Sequence, residues 1–486
     1  MADEKEPVTV LKGDDAILLW LEGRNAWNNW MKEHPKVNID FEGVDFSYEA
    51  LNKRFPVNKN LKKLIQDCKD DEIINFSGYK FSGYANFTET IFSGYMTFMN
   101  AVFHDVAGFR NATFSGVADF QGATFSDDAY FDGATFSGDA RFEEAKFNSD
   151  AYFKRVTFNK RTRFNGVIFS GDAHFGQATF NGDAYFWVSK FNGDVYFWEA
   201  TFNGRALFQS VKFIGLASFD KAVFGAGADF LDSKFDGFSS FFKISHGKFF
   251  RFASVDFNSK SRFEPEHADS IESLSFKGTS FERPFSLKGD FNCIPDLRQT
   301  KTSHHIDLSG VTVNLKRDSQ NGAILEKAHD TQDAERLCRL KEIAESNKNH
   351  ERALAFHADE MRAKRWIKLN WQRSVLDTLY SLTSNYGQSI LRPFVCLMLS
   401  IFMFAQLTIS FAEPDSEPRF KDALTVSIAT VTPFISLSKG ARDRGLEKMF
   451  GDDIPKDYDL LSYGHAFASF TFIFLIGLGL RNRFRI

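Results

Sequence analysis

Apolar positions in the middle of the chain form two interleaved series, each with a period of 11 residues. The first runs from Phe76 to Phe263 and holds 18 phenylalanines without a break. The second starts at Phe81, five residues after the first, is interrupted at His246 and then resumes. Self-similarity at a fixed period is typical of repeat architectures. The chain is therefore predicted to contain a solenoid.

A small or β-branched residue stands two positions before most of these phenylalanines, and the unit reads A-x-F-x-x-A-x-F-[SN]-G-D. Residues i−2 and i lie on the same side of an extended strand, so each A-x-F is predicted to be a short strand with both side chains directed inward. An 11-residue period also fits a right-handed helical supercoil. The turn-forming Gly-Asp corners argue against it, because each glycine would cost about 1 kcal/mol in a helix.

Spacers of two and three residues alternate between the strands, so two strands with their spacers take 11 residues. Phenylalanine should pack against alanine inside the solenoid. The predicted core includes Phe120, Phe131, Phe142, Phe153, Phe164 and Phe175.

The A-x-F-x-x-A-x-F pattern resembles the pentapeptide-repeat family, whose repeats carry a large apolar residue at the centre and a small one two positions earlier. This resemblance implies an all-β right-handed quadrilateral β-helix, here departing from the family pattern by one added residue in alternate repeats. A coil with four faces would then take about 22 residues, and residues 74–263 would form roughly eight to nine coils stacked at a strand spacing of about 4.8 Å. The segment GRNAWNNWMKEHPKVNIDFEGVDF is similar to the leader that precedes the repeats in many bacterial members.

Four regions are expected along the chain. Residues 1–73 are predicted to form an N-terminal helical cap, with a helix over 14–35, first repeat strands over 39–46 and a helical insertion over 47–72. Residues 74–290 are predicted to form the solenoid, and 291–390 a helical linker or cap with one or two charged helices over 323–371. Residues 391–486 are predicted to form a membrane module.

Two uncharged apolar runs, 394–411 and 463–480, are just long enough to cross roughly 30 Å of hydrocarbon as helices. A core helix of a soluble domain is the alternative interpretation. The run 423–438 is shorter and broken by Pro433, and a re-entrant helix suits it. Basic residues lie before the first span and after the second. The chain is therefore expected to be a multi-pass protein of the inner membrane, with its N-terminus, solenoid and C-terminus in the cytoplasm.

The order of helix, re-entrant segment and helix is loosely similar to the two-helix ion-channel module that accompanies pentapeptide repeats in some bacterial proteins. LYSLTSNYGQSILRPF and LGLRNRFRI also resemble the membrane-proximal parts of those relatives. No TVGYG-like filter is present, so the sequence does not support potassium selectivity. The pore-lining candidates are Thr425, Ser427, Thr430 and Thr432.

Outward positions of the solenoid also form columns, with one position in each coil. One corner column of aspartates suggests either a cation ladder or carboxylates that accept hydrogen bonds from turn amides; the second interpretation is favoured. The opposite edge alternates Asp139, Arg161, Asp183 and Arg205, as expected for charge compensation. The aspartate column contains Asp128, Asp150, Asp172 and Asp194.

Outward aromatic residues are the candidates for a partner surface, although stacking between coils that merely stabilises the sheet explains them equally well. His174 stands within the tyrosine column. The candidates are Tyr130, Tyr152, Tyr196, Trp187 and Trp198.

The composition of the chain mainly excludes classes of function. The 58 phenylalanines fit a stacked core, and the net charge of −4 gives no global field for nucleic acid. The four cysteines have no CxxC spacing, and no catalytic or metal motif appears, so neither an enzyme nor a cofactor is expected.

Two functions stay open on the sequence alone. The first is a membrane-anchored scaffold with a homo-oligomeric module, pore-forming or silent, and an unknown protein partner on the solenoid. The second is a protein-interaction solenoid of the DNA-mimic class that engages topoisomerase and is only anchored to the membrane. Residues 74–263 carry 19 acidic and 19 basic residues, which disfavours mimicry of DNA.

Overall fold

The computed structural model describes residues 9–60, 73–319, 326–412, 420–431, 436–451 and 454–484. Contacts divide the chain into two units. The solenoid unit comprises Met1–Lys316 and Glu342–Asn349, and the helical unit comprises Arg317–Lys341 and His350–Ile486.

The solenoid unit is built from parallel strands, most of them two or three residues long, on four faces. Paired residues in consecutive coils are 22 apart, as in Ala129 with Ala151 on one face and Thr135 with Thr157 on another. This register confirms the predicted length of the coil and its alternating corners. The solenoid has about 11 turns.

The strands of each face are given in chain order. Face 1 contains Ile73–Asn75, Tyr95–Thr97, Ala118–Asp119, Ala140–Arg141, Thr162–Arg163, Ala184–Tyr185, Ala206–Leu207, Ala228–Asp229, Phe249–Arg251 and Ser273–Ser275. Face 2 contains Lys80–Phe81, Val102–Phe103, Thr124–Phe125, Lys146–Phe147, Ile168–Phe169, Lys190–Phe191, Lys212–Phe213, Lys234–Phe235, Asp256–Phe257, Ser280–Phe281 and Lys301–Thr302. Face 3 contains Val10–Lys12, Asn38–Asp40, Ala85–Asn86, Ala107–Gly108, Ala129–Tyr130, Ala151–Tyr152, Ala173–His174, Val195–Tyr196, Ala217–Ser218, Ser239–Phe242, Ser261–Glu264, Phe285–Leu287 and Ile306–Asp307. Face 4 contains Ile91–Phe92, Thr113–Phe114, Thr135–Phe136, Thr157–Phe158, Thr179–Phe180, Thr201–Phe202 and Val223–Phe224.

Phenylalanine rings fill the interior as four columns, one behind each face. Phe142 stacks on Phe120 and Phe164 with ring centroids 4.9 and 4.8 Å apart, and the planes are nearly parallel. It also meets Phe131 of the neighbouring column edge to face at 5.6 Å. Both geometries are favourable for aromatic pairs. The six predicted core phenylalanines are all fully buried.

The corners are of two kinds. After the phenylalanines of the first series, from Phe76 to Phe252, a β-turn places its third residue in the left-handed region, as at Gly133, with the Ala134 amide donating to the Phe131 carbonyl at 3.0 Å. The longer corners instead bring backbones together: a Cβ at Gly138 would lie 2.3 Å from the Gly116 carbonyl oxygen. Glycine therefore serves conformation in the first kind of corner and close approach in the second.

Two helices cover the N-terminal end of the solenoid, α1 (Gly13–Leu21) and α2 (Arg24–Glu33). Their tryptophans continue the aromatic columns: Trp20 stacks on Phe76 at 5.4 Å, and Trp27 meets Phe81 at 5.5 Å. The predicted helix over 14–35 is thus two helices, separated at Gly23, whose φ is 92°. This aromatic layer shields the first coil from solvent.

The insertion predicted over 47–72 begins with α3 (Tyr48–Arg54), and residues 61–72 lie outside the described residues. At the other end of the solenoid, face 4 stops at Phe224, and Phe250 meets that ring edge to face at 5.4 Å. His246, the break in the second series, is exposed with φ of 61°. The strands Gly289–Phe291 and Val311–Val313 pair in parallel beyond it, and Asn347 donates to the Ile306 carbonyl.

The rest of the chain is mostly helical. A 3₁₀ turn covers Ala268–Ser270, and the strands Arg317–Ser319 and Glu326–Ala328 form an antiparallel pair. Helix α4 (Asp333–Ser346) joins the two units along the chain. The remaining helices are α5 (His350–Lys364), α6 (Trp371–Ser384), α7 (Leu391–Ser410), α8 (Phe420–Val431), α9 (Ser436–Phe450) and α10 (Lys456–Arg483).

We expect Phe142→Ala to reduce the free energy of unfolding by about 3–5 kcal/mol, because it leaves a cavity between two stacked rings. Trp187→Ala also removes a large aromatic ring, but from the surface, and should cost less than about 1 kcal/mol. Urea unfolding of the full chain in detergent, followed by circular dichroism, measures both. Equal losses for the two variants would contradict the stacked core.

Val188 has φ of 59° at the third position of its β-turn, whereas Gly166 fills the same position one coil earlier with φ of 67°. A β-branched residue in this region costs roughly 1–2 kcal/mol. Val188→Gly should therefore raise the stability of the solenoid by about 1 kcal/mol, and Gly166→Val should lower it by a similar amount. Melting temperatures of the two variants check the pair. A Val188→Gly protein less stable than the parent would show that the Val188 contacts outweigh the strain.

Candidate interaction surface and membrane module

Four aromatic rings form a column on the outside of face 3. Tyr130 and Tyr152 are parallel with centroids 4.6 Å apart, Tyr152 and His174 are 4.8 Å apart, and His174 and Tyr196 are 5.2 Å apart. Each residue follows an inward alanine or valine, so the strand directs its ring outward. The Arg110 guanidinium lies 3.8 Å from the centroid of the Tyr130 ring at one end of the column. We name these four residues the aromatic column.

The aspartate column borders the aromatic column and is bonded in two directions. Oδ1 of Asp150 accepts a hydrogen bond from the Asp172 amide of the next coil at 2.8 Å, and Oδ2 accepts one from the Tyr152 hydroxyl at 3.2 Å. Asp194 repeats the arrangement with Tyr196. These bonds confirm the turn-amide interpretation of the aspartates. They also join each tyrosine hydroxyl to the aspartate two residues before it.

The His174 ring is held neutral by its surroundings. Burial in the stack lowers its pKa, and Lys154 lowers it further, against the weaker opposing effect of Asp172 and Asp150. The neutral ring stacks between Tyr152 and Tyr196 without a net charge. At neutral pH the column is therefore an uncharged aromatic strip.

On the opposite edge Asp183 pairs with Arg205 as predicted, whereas Asp139 pairs with Arg163 and not with Arg161 of the predicted column. The Arg205 guanidinium donates to Oδ2 of Asp183 at 2.8 Å, and the Arg205 amide donates to its Oδ1. Burial raises the pKa of Asp183, but the hydrogen bonds from Arg205 outweigh it, so the pKa lies below its usual range. Asp139 pairs with Arg163 at 3.5 Å.

The two tryptophan candidates lie at different corners. Trp198 occupies the corner between faces 3 and 4, beside the aromatic column, and its ring covers Gly176. Trp187 occupies the corner between faces 1 and 2 and packs edge to face on Tyr185 at 5.2 Å. Both rings are about two-fifths exposed. Only Trp198 can therefore share a surface with the aromatic column.

A groove beside Trp198 adds positive charge to that surface. Its lining includes Arg110, Lys154, Arg155, Gln177 and Trp198, together with Asp132, whose carboxylate lies 3.8 Å from the Arg110 guanidinium. Gln177 receives a hydrogen bond from Arg155 at 3.0 Å and donates to Glu199 at 3.1 Å, which links three coils along the corner. Aromatic rings beside arginine are typical of protein interaction surfaces.

Four polar side chains of the helical unit form a group that we name the polar seam, in which Ser427, His465 and Ser469 are buried and Ser400 is half-buried. Nδ1 of His465 lies 3.0 Å from the Ser400 hydroxyl, and Nε2 lies 3.3 Å from the Ser427 hydroxyl. The imidazole stacks on Phe404 at 4.3 Å. Ser469, one turn along α10 from His465, is fully buried, and its hydroxyl has no hydrogen-bond partner among the described residues.

The pore-lining candidates separate on α8. Ser427 and Thr430 are buried, and the Ser427 hydroxyl donates to the Ile401 carbonyl of α7 at 2.7 Å. Thr425 is exposed on the other side of the helix, and Thr432 lies outside the described residues. Helices α8 and α9 pack as an antiparallel pair, with Lys448 3.3 Å from Asp422. Residues 432–435 of the predicted re-entrant segment also lie outside the described residues.

Sequence reasoning did not identify Ser400 or Ser469 and noted His465 only as an ionisable residue in an apolar run. A polar residue inside a candidate membrane span was the available signal, since such residues are costly there unless they serve a purpose. The sequence did not predict that α7, α8 and α10 pack together.

Comparison with protein families agrees with the geometry of the coils. Residues 98–146, 142–190 and 197–244 match the family model described as pentapeptide repeats (9 copies). No curated protein and no solved structure is significantly similar to the chain. Over these residues the solenoid is similar to pentapeptide-repeat proteins, whose fold is typically a structural or interaction scaffold. The chain adds to it two helices long and apolar enough to cross a membrane.

Asp150→Ala should lower the stability of the solenoid by about 1 kcal/mol, because the Asp172 amide then loses its acceptor. Asp150→Asn should retain most of that stability, since the amide oxygen still accepts and one like charge is removed. Urea unfolding of the two variants measures the difference. If instead millimolar calcium raised the melting temperature of the parent but not of Asp150→Asn, the aspartates would form a cation ladder.

Proposed function

We propose that the chain is a membrane-anchored scaffold whose solenoid binds a protein partner and whose helical unit oligomerises into a pore. The observation that carries the proposal is the exposure of the two long apolar helices. Only 33% of the apolar window of α7 and 22% of that of α10 are buried within the protein. The core helix of a soluble protein would bury most of such a window.

The exposed side chains are large and lie along the whole of both helices. Those with at least two-fifths of their surface exposed on α7 and α10 include Phe394, Met398, Leu399, Phe402, Met403, Leu460, Tyr463, Phe467, Phe470 and Phe474. A helix of 20 residues such as α7 is about 30 Å long, which matches the hydrocarbon core of a bilayer. Lipid chains are the environment that suits this surface.

Charge supports one orientation. Arg392 precedes the apolar part of α7, and Arg481 and Arg483 follow that of α10; all three are exposed. The positive-inside rule then puts both helix ends in the cytoplasm. The solenoid precedes α7 along the chain, so it would be cytoplasmic in an inner-membrane protein with two spans. Helices α8 and α9 would form the re-entrant segment between them.

The exposed face of α8 favours a pore between subunits over one within a subunit. Thr425 and Ile428 point away from the bundle, whereas Ser427 and Thr430 are enclosed by it. Only an exposed side chain of one subunit can line a path that several subunits share. Thr425 is therefore the residue proposed to line the pore, and Ser427 belongs to the polar seam.

The partner surface proposed on the solenoid is the aromatic column with the groove beside Trp198. The proposal includes no catalytic activity, because phenylalanine rings fill the solenoid interior and leave no pocket there for a substrate. The DNA-mimic alternative is disfavoured by the equal numbers of acidic and basic residues in the repeats.

Cysteine accessibility in planar bilayers tests the pore. In the full chain with its four native cysteines replaced by alanine, Thr425→Cys should lose roughly half or more of its current when a charged thiol reagent is added, because the modified side chain obstructs the path. Ser427→Cys is the matched control on the same helix, and its current should persist.

Mass measurement of the detergent-purified chain should accompany the currents and give a closed oligomer. A monomer that carries no current would leave an anchored scaffold and refute the pore. A current blocked only through Ser427→Cys would place the path inside each subunit instead.

A further inference from the structure

Helix α6 has its polar side buried and its apolar side exposed, the reverse of a helix on a soluble protein. The four buried side chains are polar or charged, and they recur every three or four residues along one face: Ser374, Asp377, Ser381 and Ser384. The large apolar side chains lie on the other face, each more than two-fifths exposed: Trp371, Val375, Leu376, Leu379 and Leu382.

A buried ion pair fixes this orientation. Nε of Arg365 donates to Oδ2 of Asp377 at 2.7 Å, and the Tyr386 hydroxyl donates to the same oxygen at 2.9 Å. The Ser374 hydroxyl also accepts a hydrogen bond from the Trp366 amide at 3.2 Å. Rotating α6 to bury its leucines would expel Asp377 from this network and leave Arg365 unpaired, which is strongly unfavourable for buried charges.

Other bonds place α6 at the end of the bundle where the basic residues lie. Arg392 at the start of α7 donates to the Ser381 carbonyl at 3.2 Å. The turn between α6 and α7 has three consecutive residues with positive φ, and its Gly387 carbonyl accepts from Asn482 at the end of α10 at 3.0 Å. Helix α6 therefore meets both long apolar helices at the ends that are proposed to be cytoplasmic.

We infer that α6 lies in the plane of the membrane, with its apolar face in the acyl chains of the cytoplasmic leaflet and the surrounding arginines on anionic phospholipid headgroups. The inference rests on the proposed membrane anchoring. The apolar side chains of α6 are exposed like those of α7 and α10, as they would be in an interfacial amphipathic helix beside two membrane spans. A helix of 14 residues spans about 21 Å, long enough to lie on the surface but too short to cross.

Charge selects lipid over a second copy of the chain. Arg373, Arg392, Arg481 and Arg483 are exposed, and no ion pair to them exists among the described residues. The one carboxylate of α6, Asp377, is already paired with Arg365. Self-association through this face would bring arginines together, whereas anionic headgroups compensate them at about 1 kcal/mol per charge.

Quenching by brominated lipid tests the inference on the full chain in nanodiscs, with its native cysteines replaced by alanine. An environment-sensitive fluorophore is attached to Leu376→Cys on α6, to Met403→Cys on α7, or to Val188→Cys on the solenoid. We expect lipid brominated on its acyl chains to quench the first two at least about twofold and to leave the third unchanged.

Each outcome separates the inference from the proposal on which it rests. Quenching at Met403→Cys without quenching at Leu376→Cys would overturn the in-plane helix and leave the anchor. Absence of quenching at both sites would overturn the anchor as well. Disulfide cross-links between Leu376→Cys copies, with no quenching, would assign the face to a second copy of the chain.

The headgroup preference has its own measurement. At equal mole fractions, brominated phosphatidylglycerol should quench Leu376→Cys about twofold more than brominated phosphatidylcholine, because the arginines enrich anionic lipid around α6. The triple change Arg373→Gln, Arg481→Gln and Arg483→Gln should remove the difference while retaining the quenching itself. Equal quenching by the two lipids in the parent chain would overturn the headgroup assignment.

Discussion

Stacking of phenylalanine rings between successive coils is the interaction on which the solenoid depends. A single coil has too little interior to be stable alone, and each ring obtains its packing from the rings above and below it, as Phe142 does between Phe120 and Phe164. The rings of the first coil therefore also need aromatic packing on the side that faces away from the stack. Trp20 and Trp27 supply it by extending two of the columns into the N-terminal helices.

Because the register between consecutive coils is fixed, the side chains at each outward position lie above one another in a column. The tyrosines of face 3 stack because the phenylalanines behind them do, and the aspartates beside them bond to the next coil at the same interval. Under the proposed partner binding, stability and recognition would use the same residues on this face. Rings held parallel by hydrogen bonds lose little conformational freedom when a partner covers them, which suits a binding surface.

The helical unit has the opposite distribution of apolar and polar side chains. Its apolar side chains face outward on α6, α7 and α10, while Asp377 and His465 are buried among hydrogen-bonding partners. Such an arrangement is unstable in water and stable in lipid, where polar groups must be satisfied inside the protein. Under the proposed membrane anchoring, the contrast between the two units reflects their two solvents, lipid for the helical unit and water for the solenoid.

The sequence by itself determined the solenoid, the length of its coil, its core phenylalanines and the two long apolar helices. The repeat spacing fixes which side chains of each strand point inward, and the length of an uncharged apolar run fixes the length of the helix, so both can be predicted from neighbouring residues alone. Only the tertiary structure decided that His465 meets Ser427 and Ser400 and that α6 turns its leucines outward. These features depend on which distant segments pack together. The sequence pattern of α6 shows that one side of the helix is apolar, but it does not show which side is buried. The ion pair of Arg365 with Asp377 buries the polar side, so the apolar side faces outward.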